Sequence, residues 1–166
     1  MRITACIWMT TVAFICSVTG FAKSSSAQED AKHEHHGDAT SRGDHAMGFD
    51  AARTTHHFLQ NSAGGTIQVT VNDPADTASR DAIQHHLQHI AKAFSEGDFD
   101  IPMLVHDQVP PGVTVMKRLK SEISYQYVAS DRGGSVEIST KNPEALAAIH
   151  DFLRFQIREH HTGDKL

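Results

Sequence analysis

Apolar and polar residues alternate along residues 54–59 and 66–71, and again along 123–127 and 136–138. Alternation with a period of two is typical of strands that bury one face. In each pair the two stretches are separated by Gly, Asn, Ser or Asp residues that favour tight turns. The pattern therefore predicts two β-hairpins.

Two longer stretches place apolar residues every three or four positions, which is typical of helices with one buried face. The apolar stripes consist of Ile83, Leu87, Ile90 and Phe94 in the first helix and Leu146, Ile149, Leu153 and Ile157 in the second. An Asx-Pro pair precedes each stripe, at Asp73 and at Asn142, as expected for an N-cap followed by a first-turn proline. Gly97 is expected to end the first helix.

The segment between the first helix and the second hairpin is less regular. Residues 99–106 read as a short strand, with Pro102 restricting it to an edge, and 115–120 as a short helix. No internal repeat is evident. The order strand-strand-helix-strand-strand-strand-helix predicts an α+β fold, a two-layer sandwich of an antiparallel hairpin sheet and two main helices.

The chain begins with the features of a secretory signal. Met1-Arg2 is followed by an apolar run from Ile3 to Ala22, and Ser25-Ser26-Ala27 offers a cleavage site. We therefore predict a signal peptide over 1–27 and a periplasmic or secreted product; the alternative is an uncleaved anchor. Residues 28–48 are polar and predicted to be a disordered His-rich tail, and 49–166 a single α+β domain.

Cysteine and charge then narrow the choice of partners. Cys6 and Cys16 both lie in the predicted signal, so the mature chain would have no disulfide and no thiolate ligand. Removing Arg2 and Lys23 would take the net charge from −5 to −7. An acidic chain of this kind is not expected to bind nucleic acid, nor a membrane once the signal is cleaved.

All 13 histidines lie after the predicted signal, and this is the unusual feature of the composition. In the tail, His45 and Met47 combine a nitrogen and a soft thioether ligand two residues apart, which favours copper. The remaining tail imidazoles, at His33, His35 and His36, suit zinc or copper.

Four histidines of the folded part are predicted to lie on or beside inward faces: His56, His57, His86 and His150. His56 and His57 are neighbours in a strand, so only an irregularity would let both bind one ion. His86 lies near the apolar stripe of its helix, and His150 near that of the last helix. The competing interpretation is ordinary hydrogen-bonded histidines.

Catalytic signatures are missing from the sequence. It contains no nucleophile elbow, Walker loop, dinucleotide-binding glycine fingerprint or H-E-x-x-H zinc motif. Phe152 and Phe155 point away from the stripe of the last helix, which favours a second buried face such as a homodimer interface.

Three stretches resemble a family of small exported bacterial His-rich proteins: Met47-Gly48-Phe49-Asp50 with Thr54–Phe58, then Asn72–Asp81, then Phe152–Ile157. The resemblance covers almost everything after the tail. Members are sometimes named aspartate carbamoyltransferase, an enzyme of two α/β domains with a Ser-Thr-Arg-Thr phosphate motif. This chain has no such motif, so that activity is not expected.

The sequence therefore predicts an exported protein that binds copper or zinc for binding, delivery or tolerance. The metal ligands would be drawn from His56, His57, His86, His150, His45 and Met47. Two alternatives stay open: a metal-dependent enzyme that uses the core histidines, and a domain that binds a non-metal ligand or partner.

Overall fold

Two β-hairpins and two long helices form the fold, as the hydrophobic pattern predicts. The computed structural model describes residues 47–166, so the predicted signal and the tail up to residue 46 lie outside the described residues. The elements are β1 (Thr54–Asn61), β2 (Gly64–Val71), α1 (Thr77–Glu96), α2 (Asp100–His106), α3 (Val113–Arg118), β3 (Ile123–Ser130), β4 (Gly133–Thr140) and α4 (Pro143–Glu159). Single 3₁₀ turns at 51–53 and 120–122 precede β1 and β3.

The four strands form one antiparallel sheet in the order β1-β2-β4-β3. Helix α1 lies over β3 and β4, and α4 lies over β1 and β2, so one face of the sheet is covered. The inward side chains of the central strands are apolar and buried, for example Ile67, Val69 and Val136. The predicted α+β two-layer sandwich is confirmed.

Both long helices begin at a side-chain cap. Asn142 caps α4 as predicted and accepts hydrogen bonds from the backbone of Glu144 and Ala145. The cap of α1 is Asp76, whose carboxylate accepts from Ser79 N; the predicted cap Asp73 instead bonds Ala75 N in the preceding turn. Within residues 47–166 no helix is long and apolar enough to span a bilayer.

The predicted strand over 99–106 is wrong, because these residues form helix α2. Pro102 is the third residue of this helix, where the backbone N–H has no intrahelical acceptor, so the proline removes no hydrogen bond. The apolar run was too short to separate a strand from a buried helix by its period.

Helix α4 is buried more widely than its predicted stripe. Phe152 and Phe155 are 1% and 6% exposed within the single chain, so they need no second molecule to cover them. Phe152 packs edge-to-face on Phe94 and Phe99 at 5.9 and 6.2 Å between ring centroids. The two phenylalanines therefore give no support for a homodimer, which stays a prediction.

The two hairpins are structural repeats, which the sequence pattern did not reveal. β3 and β4 reproduce the bounds of β1 and β2 with an offset of 69 positions, from 54 to 123 and from 64 to 133. The central pair Ile67 and Val136 stand opposite each other and are also 69 apart, so a two-fold axis passes between them. Each hairpin is followed by a capped long helix, and the described part of the chain consists of two hairpin–helix units joined by residues 97–122.

Glycines begin the second strand of each unit because the strands approach closely there. A Cβ on Gly64 would lie 2.2 Å from the Ile138 carbonyl oxygen, and one on Gly133 would lie 2.2 Å from that of Val69. The φ angles are 153° and 151°. The two glycines occupy equivalent positions in the two repeats.

Candidate functional site

A cavity of about 70 Å³ opens between α1 and α4, above strands β1 and β2. Helix α2 and Met47 complete its wall. The walls are mostly apolar and include Phe58, Ile67, Val69, Leu87, Ile90, Phe94, Ile101, Pro102, Val105 and Phe152. Polar groups in such a setting are few and therefore informative about its use.

Four imidazoles line this cavity, each carried by a different segment: His56 on β1, His86 on α1, His106 at the end of α2, and His160 directly after α4. We call this group the histidine pocket. His56 points inward because it shares a strand face with Phe58, two residues on. His86 precedes the buried Leu87 on the side of α1 that faces the sheet.

His160 lies at the centre of the group. Its ring centroid is 5.7 Å from that of His56, with an interplanar angle of 17°, and 5.2 Å from that of His106, at 89°. Phe58 packs against His160 at 5.3 Å. On the other side, Phe49 contacts both His56 and His86, at 6.1 and 5.7 Å between centroids.

Burial keeps two of these imidazoles uncharged. Loss of hydration lowers the pKa of His86 to about 4, with a smaller contribution from the neighbouring His56. The same two causes, with His106 in addition, lower the pKa of His160 to about 3. A neutral imidazole retains a nitrogen lone pair, so both rings are in the form that can bind a metal ion near neutral pH.

His106 is oriented by a buried amide. Its ring is 4% exposed, and its Nε2 donates to Oε1 of Gln156 at 3.0 Å. With the proton on Nε2, the lone pair of the neutral ring is on Nδ1. Gln156 is 3% exposed, and its own Nε2 has no hydrogen-bond acceptor among the described residues. The pocket therefore contains one buried donor that a bound group could satisfy.

The distances in the pocket fit a shared metal ion better than the ring orientations do. Two imidazoles with nitrogens about 2.0–2.1 Å from one ion have ring centres roughly 5–6 Å apart, as the two His160 pairs do. However, within residues 47–166 no group of three or more His, Cys, Asp or Glu side chains is arranged to hold an ion. Rotation of the rings would be needed to point their nitrogens at one centre.

The predicted site residues separate into two groups. His56, His86 and Met47 line the histidine pocket together, whereas His57 and His150 lie elsewhere. His57 donates from Nδ1 to the carboxylate of Asp164 at 2.8 Å. His150 donates from Nε2 to the carbonyls of Asn61 and Gly64, each at 3.0 Å, and so binds α4 to the first hairpin. His45 lies outside the described residues.

Sequence reasoning did not assign His106 and His160 to the site. His106 was expected at the end of a strand, and the change to helix turns it inward. His160 follows the last residue of α4, and nothing in the apolar stripe of that helix indicates that the chain continues along the edge of β1. The pocket is formed by tertiary packing of segments that are far apart in sequence. The pattern of the first hairpin by itself identifies only one of the four histidines, His56.

Comparisons of the chain with protein-family models, with curated protein sequences and with solved structures give no match. The resemblance to small exported His-rich proteins therefore stays a prediction.

Proposed function

We propose that the protein binds one transition-metal ion, copper or zinc, in the histidine pocket. The observation that carries the proposal is the meeting of four imidazoles from four separate segments around one apolar cavity. Imidazole is a good ligand for both metals, and a thioether such as that of Met47 favours copper.

Burying these imidazoles costs free energy of hydration, and a purely structural role gives no reason for that cost. Uncharged polar rings lose hydration in an apolar cavity, and ordinary packing would be served better by apolar side chains. The Gln156 carbonyl supports ligation in addition, because metal-binding histidines usually donate their second N–H to an oxygen acceptor. The torsion about the bond to an imidazole ring has a broad energy profile, so this torsion itself adds little to the cost of turning the His56 and His160 rings toward an ion.

Binding, delivery or tolerance of the metal outside the cytoplasm is the role we propose for such a site. Support for export comes from residues 1–27, which have the charged start, apolar run and small-residue end of a signal peptide. N-terminal sequencing of the protein from its native cell tests this part; an intact Met1 would contradict it.

The test uses the mature chain with His33, His35, His36 and His45 replaced by Asn, so that the tail cannot supply imidazoles. Zinc or copper(II) at a hundredfold excess over Kd should stabilise the fold by about 2.7 kcal/mol, which raises Tm by several degrees. The measurement is thermal unfolding at about pH 7.5, with EDTA as the metal-free reference.

Matched variants localise the effect. His86→Gln and His160→Gln should each lose most of the shift, whereas His85→Gln, an exposed neighbour of His86 on α1, should keep it. If neither metal moves the Tm of the tail-substituted protein, the histidine pocket does not bind metal.

A second candidate is binding of a small apolar ligand, which the apolar walls of the cavity favour. It predicts a thermal shift with small apolar compounds in the presence of EDTA and no shift with zinc or copper. The same tail-substituted protein and the same variants serve for both candidates.

A further inference from the structure

The segment after α4 is fastened to the open edge of the sheet by one carboxylate. The Asp164 side chain, 9% exposed, accepts three hydrogen bonds: from Phe58 N at 2.9 Å, His57 Nδ1 at 2.8 Å and Thr162 Oγ1 at 2.7 Å. Gln60 adds a longer bond to the Lys165 carbonyl at 3.4 Å. The two segments are more than a hundred residues apart in sequence.

This carboxylate occupies the place that a further strand would take. Among residues 47–166, β1 pairs only with β2, so in this part of the chain no other strand would accept from the Phe58 N–H on its outer edge. Burial alone would raise the pKa of Asp164, but the hydrogen bonds from Thr162, Phe58 and His57 together hold it below its ordinary value. The group is thus a carboxylate, which can only accept, and His57 must carry its proton on Nδ1.

The fastened segments are the ones that carry His56 and His160. His56 directly precedes the two β1 residues that Asp164 binds, and His160 lies four residues before Asp164. Phe58 itself packs on the His160 ring at 5.3 Å. Displacing Asp164 would therefore free the C-terminal segment at a point beside the stacked His56–His160 pair.

We propose that Asp164 is a positioning residue for the histidine pocket: by fastening the C-terminal segment to β1, it fixes the distance between the His56 and His160 imidazoles. The inference rests on the proposed metal function of that pocket. It gives His57 the task of orienting Asp164 in place of the direct ligation expected from the sequence. Outer residues of this kind commonly change metal affinity by about 10–100-fold when they are replaced.

The experiment compares Asp164→Asn and Asp164→Ala with Asp151→Asn in the mature chain whose tail histidines are replaced by Asn, which is also the wild-type reference. Asp151 is the control because it is an exposed carboxylate of α4 that accepts a hydrogen bond from Arg154, three residues on. Its connection to β1 is indirect, since Arg154 also donates to Gln60 Oε1. Zinc affinity is measured by chelator competition well below the Tm. Asp164→Ala should bind zinc about 10-fold or more weakly than wild type. Asp164→Asn should lose less affinity, because its amide oxygen can still accept from Phe58 N. Asp151→Asn should bind zinc as wild type does.

A second readout does not depend on metal. Contacts between the His56 and His160 rings, followed by NMR of the metal-free protein, should weaken in Asp164→Ala and persist in Asp151→Asn. If wild type binds zinc and Asp164→Ala binds it equally well, with only its Tm lowered, the inference is overturned and Asp164 is a stabilising residue only. If wild type binds no metal, the proposed function fails, and unchanged ring contacts in Asp164→Ala would then overturn the positioning role as well.

Discussion

At the scale of single residues, the histidine pocket makes the metal-free fold sensitive to acid. His86 and His160 have pKa values of about 4 and about 3 in the folded domain, against 6.5 for an unperturbed imidazole. Between these values the unfolded chain takes up a proton on each ring and the folded domain does not. The two rings therefore do not lower the free energy of unfolding above about pH 6.5, and they lower it increasingly as the pH falls toward 4.

We expect the free energy of unfolding to fall by up to about 1.4 kcal/mol per pH unit for each ring below about pH 6. Urea unfolding in EDTA across this range measures the slope. Carboxylates with lowered pKa, such as Asp164, lose their contribution only nearer their own ordinary pKa of 3.8, so they do not account for a loss at higher pH. A variant with both His86→Gln and His160→Gln should have a much flatter profile; an equal slope would contradict the assignment.

The sequence located half of the pocket for a simple physical reason. A strand has a period of two and a helix a period near 3.6, so the facing of His56 and His86 follows from the apolar neighbours of each. His106 and His160 lie at the ends of helices, where the direction of the chain is set by packing and not by period. His57 and His150 are predicted as metal ligands from the sequence, but in the structure they bond an aspartate and two backbone carbonyls.

At the scale of elements, the caps decide where the helices begin. Asp76 bonds Ser79 N at 3.1 Å and pairs with Arg53 at 2.7 Å. Hydrogen bonds from Ser79 hold the pKa of Asp76 below its ordinary value. Since Arg53 is 60% exposed, most of the effect of Asp76 should come from the cap and little from the ion pair.

Asp76→Ala is therefore expected to lower the free energy of unfolding by about 1 kcal/mol. Asp73→Ala, which removes only a turn hydrogen bond, should cost less. Chemical denaturation of the two variants under identical conditions gives the comparison. A larger loss for Asp73→Ala would mean that Asp73 is the N-cap of α1, as the sequence pattern predicts.

Element type was predictable wherever the period ran long enough. Each hairpin has many paired residues and each long helix has several turns, so the sequence pattern identifies all four, with boundaries a few residues off. The seven residues of α2 span less than two turns, too few for the helical period to stand out. Pro102 restricts a strand to an edge, but it is equally compatible with the first turn of a helix.

At the scale of the whole molecule, the two-fold repeat is not evident in the sequence because the two units share few identical residues. Aligned with the offset of 69, residues 54–74 and 123–143 share only the Gly-Gly pair and the following proline. What the repeats share is the alternation of apolar and polar residues, which any two hairpins have. The strand register is needed to recognise the equivalence.

The repeat predicts matched effects at Gly64 and Gly133. Alanine at either position would bring its Cβ within 2.2 Å of a backbone oxygen of the neighbouring central strand, so each should cost about 3 kcal/mol or more. Gly48→Ala is the control: its φ is also positive, at 78°, but nothing lies within 4 Å of the added carbon. It should cost about 1–2 kcal/mol. Urea unfolding curves of the three variants would decide, and a mild effect at only one of the central glycines would contradict the equivalence.

Strands β2 and β4 meet in the manner of an isologous dimer interface, in which every contact occurs twice with the roles exchanged: Gly65 faces Ile138, and Val69 faces Gly134. A dimer joined into one chain no longer has to keep its two subunits identical. Tyr125 and Tyr127 stand where the first unit has His56 and Phe58, and only the first unit is followed by the segment 97–122 that closes the cavity. The two units are thus unequal: the pocket that we propose for metal is lined by both units and by the segment 97–122, and the proposed stoichiometry within residues 47–166 is one ion per molecule.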